Sequence, residues 1–156
     1  MFPGAVACGV STGAWILVVA VLAAVAFGSY RRVSDGRFGG GTQAESTAQP
    51  LVTPAAQVVT DVGAHLGSRA TLLQFSSAFC APCRATRRTL AEVAELVDGV
   101  VHVEVDAEEH LELTRRLDIL RTPTTLVLDA SGREVSRAAG APTKDHVFSA
   151  LARVES

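Results

Sequence analysis

The chain has 156 residues, enough for one domain with appended segments. Its 14 basic and 16 acidic residues nearly balance, and no basic cluster alternates with aromatic residues. This charge pattern argues against nucleic-acid binding, so we expect no nucleic acid among the partners.

The first segment is long, apolar and uncharged. Residues 2–30 carry no charged side chain and exceed the ~20 residues that a helix needs to cross a bilayer. Trp15 and Tyr30 suit the two membrane interfaces, and two arginines end the segment. The sequence therefore predicts an N-terminal transmembrane helix within residues 1–32.

Two other kinds of N-terminal segment fit less well. Ala24-Val25-Ala26 resembles the cleavage site of a signal peptide, but no lysine or arginine precedes the apolar stretch. A lipid attachment site at Cys8 would follow almost no apolar sequence. We therefore expect the helix to be retained as a membrane anchor.

The arginines near this segment predict its orientation. Arg31, Arg32 and Arg37 all follow the apolar stretch, and positive charge close to a span stays on the cytoplasmic side. The sequence therefore predicts a single-pass protein of the cell membrane. Its N-terminus would lie outside and the rest of the chain in the cytoplasm.

Residues 33–57 have the composition of a flexible linker. They contain three consecutive glycines at positions 39–41, several Thr, Gln, Ser and Ala residues, and two prolines. They hold too few apolar side chains to form a core. Such a tether would let the following domain move a few tens of ångströms (~5–6 Å × √n for n residues).

Residues 58–156 predict one α/β domain, because strand-like and helix-like patterns alternate along them. A turn or short helix at Val62–Gly67 and a hairpin turn at Asp129–Gly132 punctuate this pattern. Short apolar or alternating runs predict strands at Val58-Val59, Ala70–Ser76, Val100–Val105, Thr124–Leu128 and Glu134–Ala139. Amphipathic spacing predicts helices at Cys80–Val97, Glu109–Leu117 and Thr143–Val154, the last with Thr143 as its N-cap. This order predicts a mixed sheet with helices on both faces.

A pair of cysteines begins the first long helix, at Cys80-Ala81-Pro82-Cys83. The first turn of a helix has unpaired N–H groups and the positive end of the macrodipole, so it stabilises a thiolate. Pro82 is tolerated there because its missing N–H costs little. We predict that Cys80 is the outer nucleophile and Cys83 the inner, resolving thiol.

The same C-x-x-C pattern also occurs in zinc sites, which need two further ligands. The third cysteine, Cys8, lies far away in the apolar segment, and the four histidines are scattered singly. The pattern therefore favours a redox dithiol, with no metal and no other cofactor.

Several motifs together resemble the thioredoxin family. FCAPC is similar to its W-C-G-P-C motif, and Arg121-Thr122-Pro123-Thr124 resembles its cis-proline loop. VEVDAEE before that loop and Gly140 after it also match, so the resemblance covers about residues 58–154. It implies a thioredoxin fold, a cis bond before Pro123 and strand-type pairing of the loop with an extended client segment. The implied substrate-binding residues are Phe79, as an apolar lid over Cys80, together with Pro82, Thr122 and Pro123.

Two positions depart from the family pattern. Gln74 stands where the family usually has a buried aspartate that deprotonates the inner thiol, and an amide cannot act as a general base. His102 stands where a lysine is common. Proton transfer near Cys83 therefore involves His102 or Gln74, unless His102 is an outward-pointing strand residue and Gln74 only satisfies buried polar groups.

The expected activity is reduction of protein disulfides: Cys80 attacks the client and Cys83 resolves the mixed disulfide. The Ala-Pro pair between the cysteines resembles that of the reducing members, and an upstream electron donor would return the pair to the dithiol state. Two alternatives stay open. The chain could be a membrane-tethered binding module with little turnover, or a carrier of a soft metal ion such as Cu(I).

Overall fold

The computed structural model describes residues 12–34, 36–40 and 53–154. The chain forms two compact units, Met1–Ser34 and Asp35–Ser156. Residues 1–11 of the predicted anchor and residues 41–52 of the predicted linker lie outside the described residues.

The described residues of the first unit form one helix, α1, at Thr12–Ser34. Its 23 residues correspond to about 34 Å at 1.5 Å per residue. Large apolar side chains are exposed along it, from Trp15 to Phe27. By length and composition α1 could cross a membrane, and a signal sequence near an N-terminus has the same features.

The second unit is a mixed sheet flanked by helices, which confirms the predicted fold class. The sheet has the strand order β1-β5-β4-β2-β3, in which β2 and β3 are parallel and the other neighbours are antiparallel. Its strands are β1 (Phe38–Gly40), β2 (Ala70–Ser76), β3 (Val100–Asp106), β4 (Thr124–Asp129) and β5 (Glu134–Ala139). The helices are α2 (Pro54–Asp61), α3 (Ala81–Leu96), α4 (Leu111–Arg116) and α5 (Lys144–Leu151).

Each face of the sheet packs against its own apolar core. Leu73 and Phe75 of β2 belong to one core, with side chains from α2, and Leu72 belongs to the other, with side chains from α3 and α5. All seven residues of β2 are buried because β3 and β4 flank the strand and helices cover both faces. Strand β2 is therefore enclosed on both edges and both faces up to Ser76, four residues before Cys80.

The predicted strand at Val58-Val59 is wrong, because these residues lie in α2. Thr53 caps this helix with a side-chain oxygen that accepts from the Ala56 N–H at 3.1 Å, and Pro54 occupies the first turn. Two adjacent β-branched residues resemble a strand, but the cap and the proline before them start a helix.

The predicted linker contains regular structure at both ends. Phe38–Gly40 form β1, which pairs antiparallel with β5, and the Gly36 N–H donates to the Ala139 carbonyl at 2.9 Å. At the other end, α2 begins at Pro54. A three-residue, glycine-rich strand has no apolar alternation, so only its pairing with β5 identifies it.

The remaining helices are shorter than predicted. The fourth, α4, begins at Leu111 and α5 ends at Leu151. The predicted cap is confirmed, since Thr143 Oγ1 accepts from the His146 N–H at 3.3 Å. Apolar periodicity locates such helices well, whereas their ends depend on local backbone bonds.

Candidate active site

The cysteine pair lies where β2 gives way to α3. Cys80 is the N-cap of α3, and its sulfur accepts from the Cys83 N–H at 3.1 Å. Cys80 and Cys83 are joined by a disulfide bond of 2.03 Å. The helix begins at the predicted cysteine turn, with Pro82 in the first turn.

The two sulfurs differ in accessibility. Cys80 is partly exposed, whereas Cys83 is only 2% exposed and sits on the face of α3 that packs on the sheet. An incoming disulfide can therefore reach Cys80, and Cys83 can reach only a partner already bound to Cys80. This arrangement fits the predicted division into an outer and an inner thiol.

A second loop lies beside the cysteine turn. The Thr122-Pro123 bond is cis, as the family resemblance implies. The hydroxyls of Thr122 and Ser77 are 2.9 Å apart, and the Pro123 carbonyl accepts from the Gly140 N–H at 2.7 Å. The Thr122-Pro123 loop is thus held between the β2–α3 connection and the end of β5.

The apolar side chain next to the cysteines is not a lid. Phe79 is fully exposed, so it does not cover Cys80 as expected from the sequence. Pro82 is also exposed, and Leu120, two residues before Thr122, is 86% exposed.

Gln74 lies beneath the first turn of α3 with all its hydrogen-bonding groups engaged. It is 0% exposed. Its Nε2 donates to the Cys83 carbonyl at 3.0 Å and to Ser76 Oγ at 2.7 Å, and its Oε1 lies 3.1 Å from His102 Nε2. Gln74 therefore satisfies buried polar groups, which was one of the two sequence interpretations, and its amide cannot act as a general base for a thiol proton.

His102 is half-buried and points to the same face of the sheet as Gln74. Because Gln74 Oε1 can only accept, the ring nitrogen facing it, Nε2, carries the hydrogen. Burial lowers the pKa of His102 from its ordinary value; Glu104 opposes this shift and Arg87 adds to it. The interpretation of His102 as a purely outward-pointing residue is wrong.

Three further residues extend this network, and sequence reasoning did not identify them. Ser76 Oγ accepts from Gln74 and donates to Glu104 Oε1 at 2.6 Å. Glu104 forms two contacts with Arg87, Nη2 to Oε1 at 2.9 Å and Nε to Oε2 at 2.5 Å. For Ser76 and Glu104 the available signal was polar residues at alternate positions of otherwise apolar strands, whereas Arg87 of α3 had no such signal.

The lowered pKa of His102 predicts a pH dependence of stability. Above its ordinary pKa the imidazole is neutral in both states; as the pH falls, the unfolded chain binds the proton first. This contribution is therefore present above the ordinary pKa and is lost as the pH falls through the lowered, folded-state pKa. His102→Gln should show a smaller loss of unfolding free energy between pH 7.5 and 5.5, measured by urea denaturation. An equally steep loss in the variant would contradict this assignment.

Metal ligation finds no support in the described parts of the chain. Within residues 12–34, 36–40 and 53–154, no group of three or more His, Cys, Asp or Glu side chains could hold a metal ion.

Comparisons with known proteins agree with this geometry. The thioredoxin family model matches residues 57–153. A thioredoxin from Alicyclobacillus acidocaldarius is 34% identical over 89 residues, which span 56% of this chain and 84% of that protein. The structure of thioredoxin f from spinach chloroplasts matches with a TM-score of 0.51 and 25% identity, over 58% of this chain and 80% of that one. The Fasciola hepatica thioredoxin structure shows the same fold, with a TM-score of 0.50 and 21% identity over 62% and 88% of the two chains.

Proposed function

Because the chain belongs to the thioredoxin family and is a thiol-disulfide oxidoreductase, we propose that it reduces disulfide bonds in protein clients from a membrane-anchored position. The observation that carries the proposal is the placement of Cys80 and Cys83. One sulfur is accessible at a helix N-terminus, and its partner is buried and bonded to it. The direction of transfer, the roles of the site residues and the anchoring belong to the proposal.

The first step is attack of the Cys80 thiolate on one sulfur of the client disulfide. The client S–S bond breaks, a bond forms between Cys80 and the client, and the second client sulfur leaves as a thiolate. The N–H of Cys83, which points at the Cys80 sulfur, stabilises the attacking anion.

The second step is resolution by Cys83. Its thiol loses a proton and attacks the Cys80 sulfur, so the Cys80–Cys83 bond forms and the client leaves fully reduced. We assign the proton transfer to His102, whose basic nitrogen is Nδ1 because Nε2 carries the hydrogen that faces Gln74, so the proton reaches Nδ1 through solvent and not through the amide. Gln74, whose amide is fully engaged, holds this group in place. A disulfide-reducing upstream donor then restores the dithiol.

Client recognition is assigned to the surface around Cys80. The Thr122-Pro123 loop lies beside the cysteine turn and would pair with an extended client segment through backbone groups. The exposed side chains of Phe79 and Pro82 border this segment. Such recognition tolerates many client sequences, because the backbone bonds do not depend on side chains.

The proposal is tested by reduction of a protein disulfide, such as that of insulin, with dithiothreitol as the electron donor. The full chain in detergent should accelerate the reaction catalytically. Formation of a mixed disulfide without turnover would instead indicate the binding module, and stoichiometric retention of Cu(I) would indicate a metal carrier.

The proposed membrane arrangement is based on α1. We propose that this helix is retained as a single-pass anchor, with the domain in the cytoplasm, since the arginines follow the apolar stretch. The connecting segment contains β1, so part of it is bound to the domain and does not act as free tether.

This orientation predicts that Cys80 is protected in intact cells. In a Cys8→Ser variant, after reduction with a permeant thiol, a membrane-impermeant maleimide should label Cys80 only once the cells are lysed. Labelling of Cys80 before lysis would place the domain outside and contradict the proposed topology.

A further inference from the structure

Three arginines follow the cysteine pair in the first two turns of α3. Arg84, Arg87 and Arg88 lie in the first two turns of the helix and are exposed. The helix dipole adds to their field. Positive charge near a cysteine pair stabilises the thiolate of the reduced form, which favours the reduced state and makes a dithiol protein more oxidising.

One of these arginines is neutralised by a carboxylate from a neighbouring strand. Glu104 of β3 engages Arg87 with both carboxylate oxygens, at 2.9 and 2.5 Å. The Glu104 side chain is 23% exposed and that of Arg87 is 55% exposed. Solvent therefore screens the charge of the carboxylate less than that of the guanidinium. This pairing accounts for the raised pKa of Arg87, whose largest cause is its hydrogen bond to Glu104.

The pair is connected to the inner cysteine by a closed ring of hydrogen bonds. Glu104 accepts from Ser76, Ser76 accepts from Gln74, and Gln74 donates to the Cys83 carbonyl. Arg87, which is paired with Glu104, lies on α3 four residues after Cys83, at a neighbouring position of the helix surface. The helix itself therefore closes the ring. Only two side chains therefore separate the Glu104 carboxylate from the backbone of Cys83.

We propose that Glu104 is a positioning residue that keeps the cysteine pair reducing by neutralising Arg87 beside the first turn of α3. This inference rests on the proposed reductase function and adds a determinant of its direction. Without the carboxylate, Arg87 would act on the thiolate uncompensated, and the disulfide would become easier to reduce and the protein a stronger oxidant.

The test is the equilibrium in which two glutathione molecules reduce the Cys80–Cys83 disulfide and form one glutathione disulfide. The detergent-solubilised full chain is equilibrated at pH 7 and the reduced fraction is measured by alkylation. Glu104→Gln should raise the equilibrium constant about tenfold, which corresponds to about 30 mV for a two-electron couple. Arg87→Gln should lower it about threefold, since the arginine is more exposed.

The double variant separates charge from packing. Arg87→Gln combined with Glu104→Gln removes both charges, and its equilibrium constant should return to within about threefold of the wild-type value. Glu92→Gln is the matched control, because Glu92 of α3 likewise pairs with a cation, Lys144, but at an exposed position. It should change the constant by less than about twofold.

Two results would overturn the inference. The first is an equilibrium constant in Glu104→Gln that is unchanged or lower. The second is a double variant that stays as displaced as Glu104→Gln, because the effect would then arise from lost packing. A wild-type pair that glutathione reduces almost completely would be an oxidant, which would overturn the proposed reductase function whatever the Glu104 variants show.

Discussion

Replacement of Cys83 by serine is expected to abolish turnover while leaving the first chemical step intact. Cys80 keeps its exposed position and its N-terminal helix environment, so it still attacks a client disulfide. The serine hydroxyl cannot form the second sulfur–sulfur bond, so the mixed disulfide accumulates. Steady-state reduction of insulin should fall by roughly 10³-fold, because the two cysteines act as one unit.

The trapped intermediate is the decisive measurement. Mass spectrometry of pre-reduced Cys83→Ser, mixed with client after dithiothreitol has been removed, should show one client molecule bound through Cys80 that is released when dithiothreitol is added back. Cys8→Ser is the matched control, since it makes the same chemical change at the third cysteine, and it should retain wild-type turnover. Full activity in Cys83→Ser would mean that a group other than Cys83 resolves the intermediate.

Replacement of Gln74 by leucine is expected to cause the largest loss of stability at this site. The change removes three hydrogen bonds from a residue that is 0% exposed and leaves His102 and Ser76 without their shared partner. Each buried polar group left unsatisfied costs about 1–3 kcal/mol, so the free energy of unfolding should fall by about 3 kcal/mol. Urea denaturation in detergent, followed by circular dichroism, measures this loss.

An exposed glutamine provides the comparison. Gln57 of α2 is exposed and accepts one long hydrogen bond from Arg116, at 3.3 Å. Gln57→Leu should change the free energy of unfolding by less than about 0.5 kcal/mol. Equal losses in the two variants would show that leucine itself, and not the broken network, is responsible for the effect at Gln74.

The elements that sequence reasoning identified best are those in which local pattern and tertiary environment agree. The central strand was predicted at the bounds the structure shows, Ala70–Ser76, because a continuous apolar run suits a strand buried on both faces. The start of α3 at the cysteines was also predicted, since its cap and proline lie within four residues. Local chemistry alone therefore located the candidate redox pair.

The errors have a common physical origin. Val58-Val59 has strand-like composition, but the N-cap at Thr53 starts a helix that includes both residues. Phe38–Gly40 has linker-like composition, but pairing with β5 makes it a strand. In each case the structure of the segment was determined by residues outside it, Thr53 for Val58-Val59 and β5 for Phe38–Gly40.

The sequence by itself determined the α/β class and the position of the cysteine pair at a helix N-terminus, because both follow from patterns within short stretches of chain, and the proline loop followed from the resemblance to the thioredoxin family. Only the tertiary structure decided what surrounds the pair. Gln74 meets His102, and Ser76 meets Glu104, across 28 residues of chain. These contacts exist because β2 and β3 pair in parallel register, and no local pattern encodes that register.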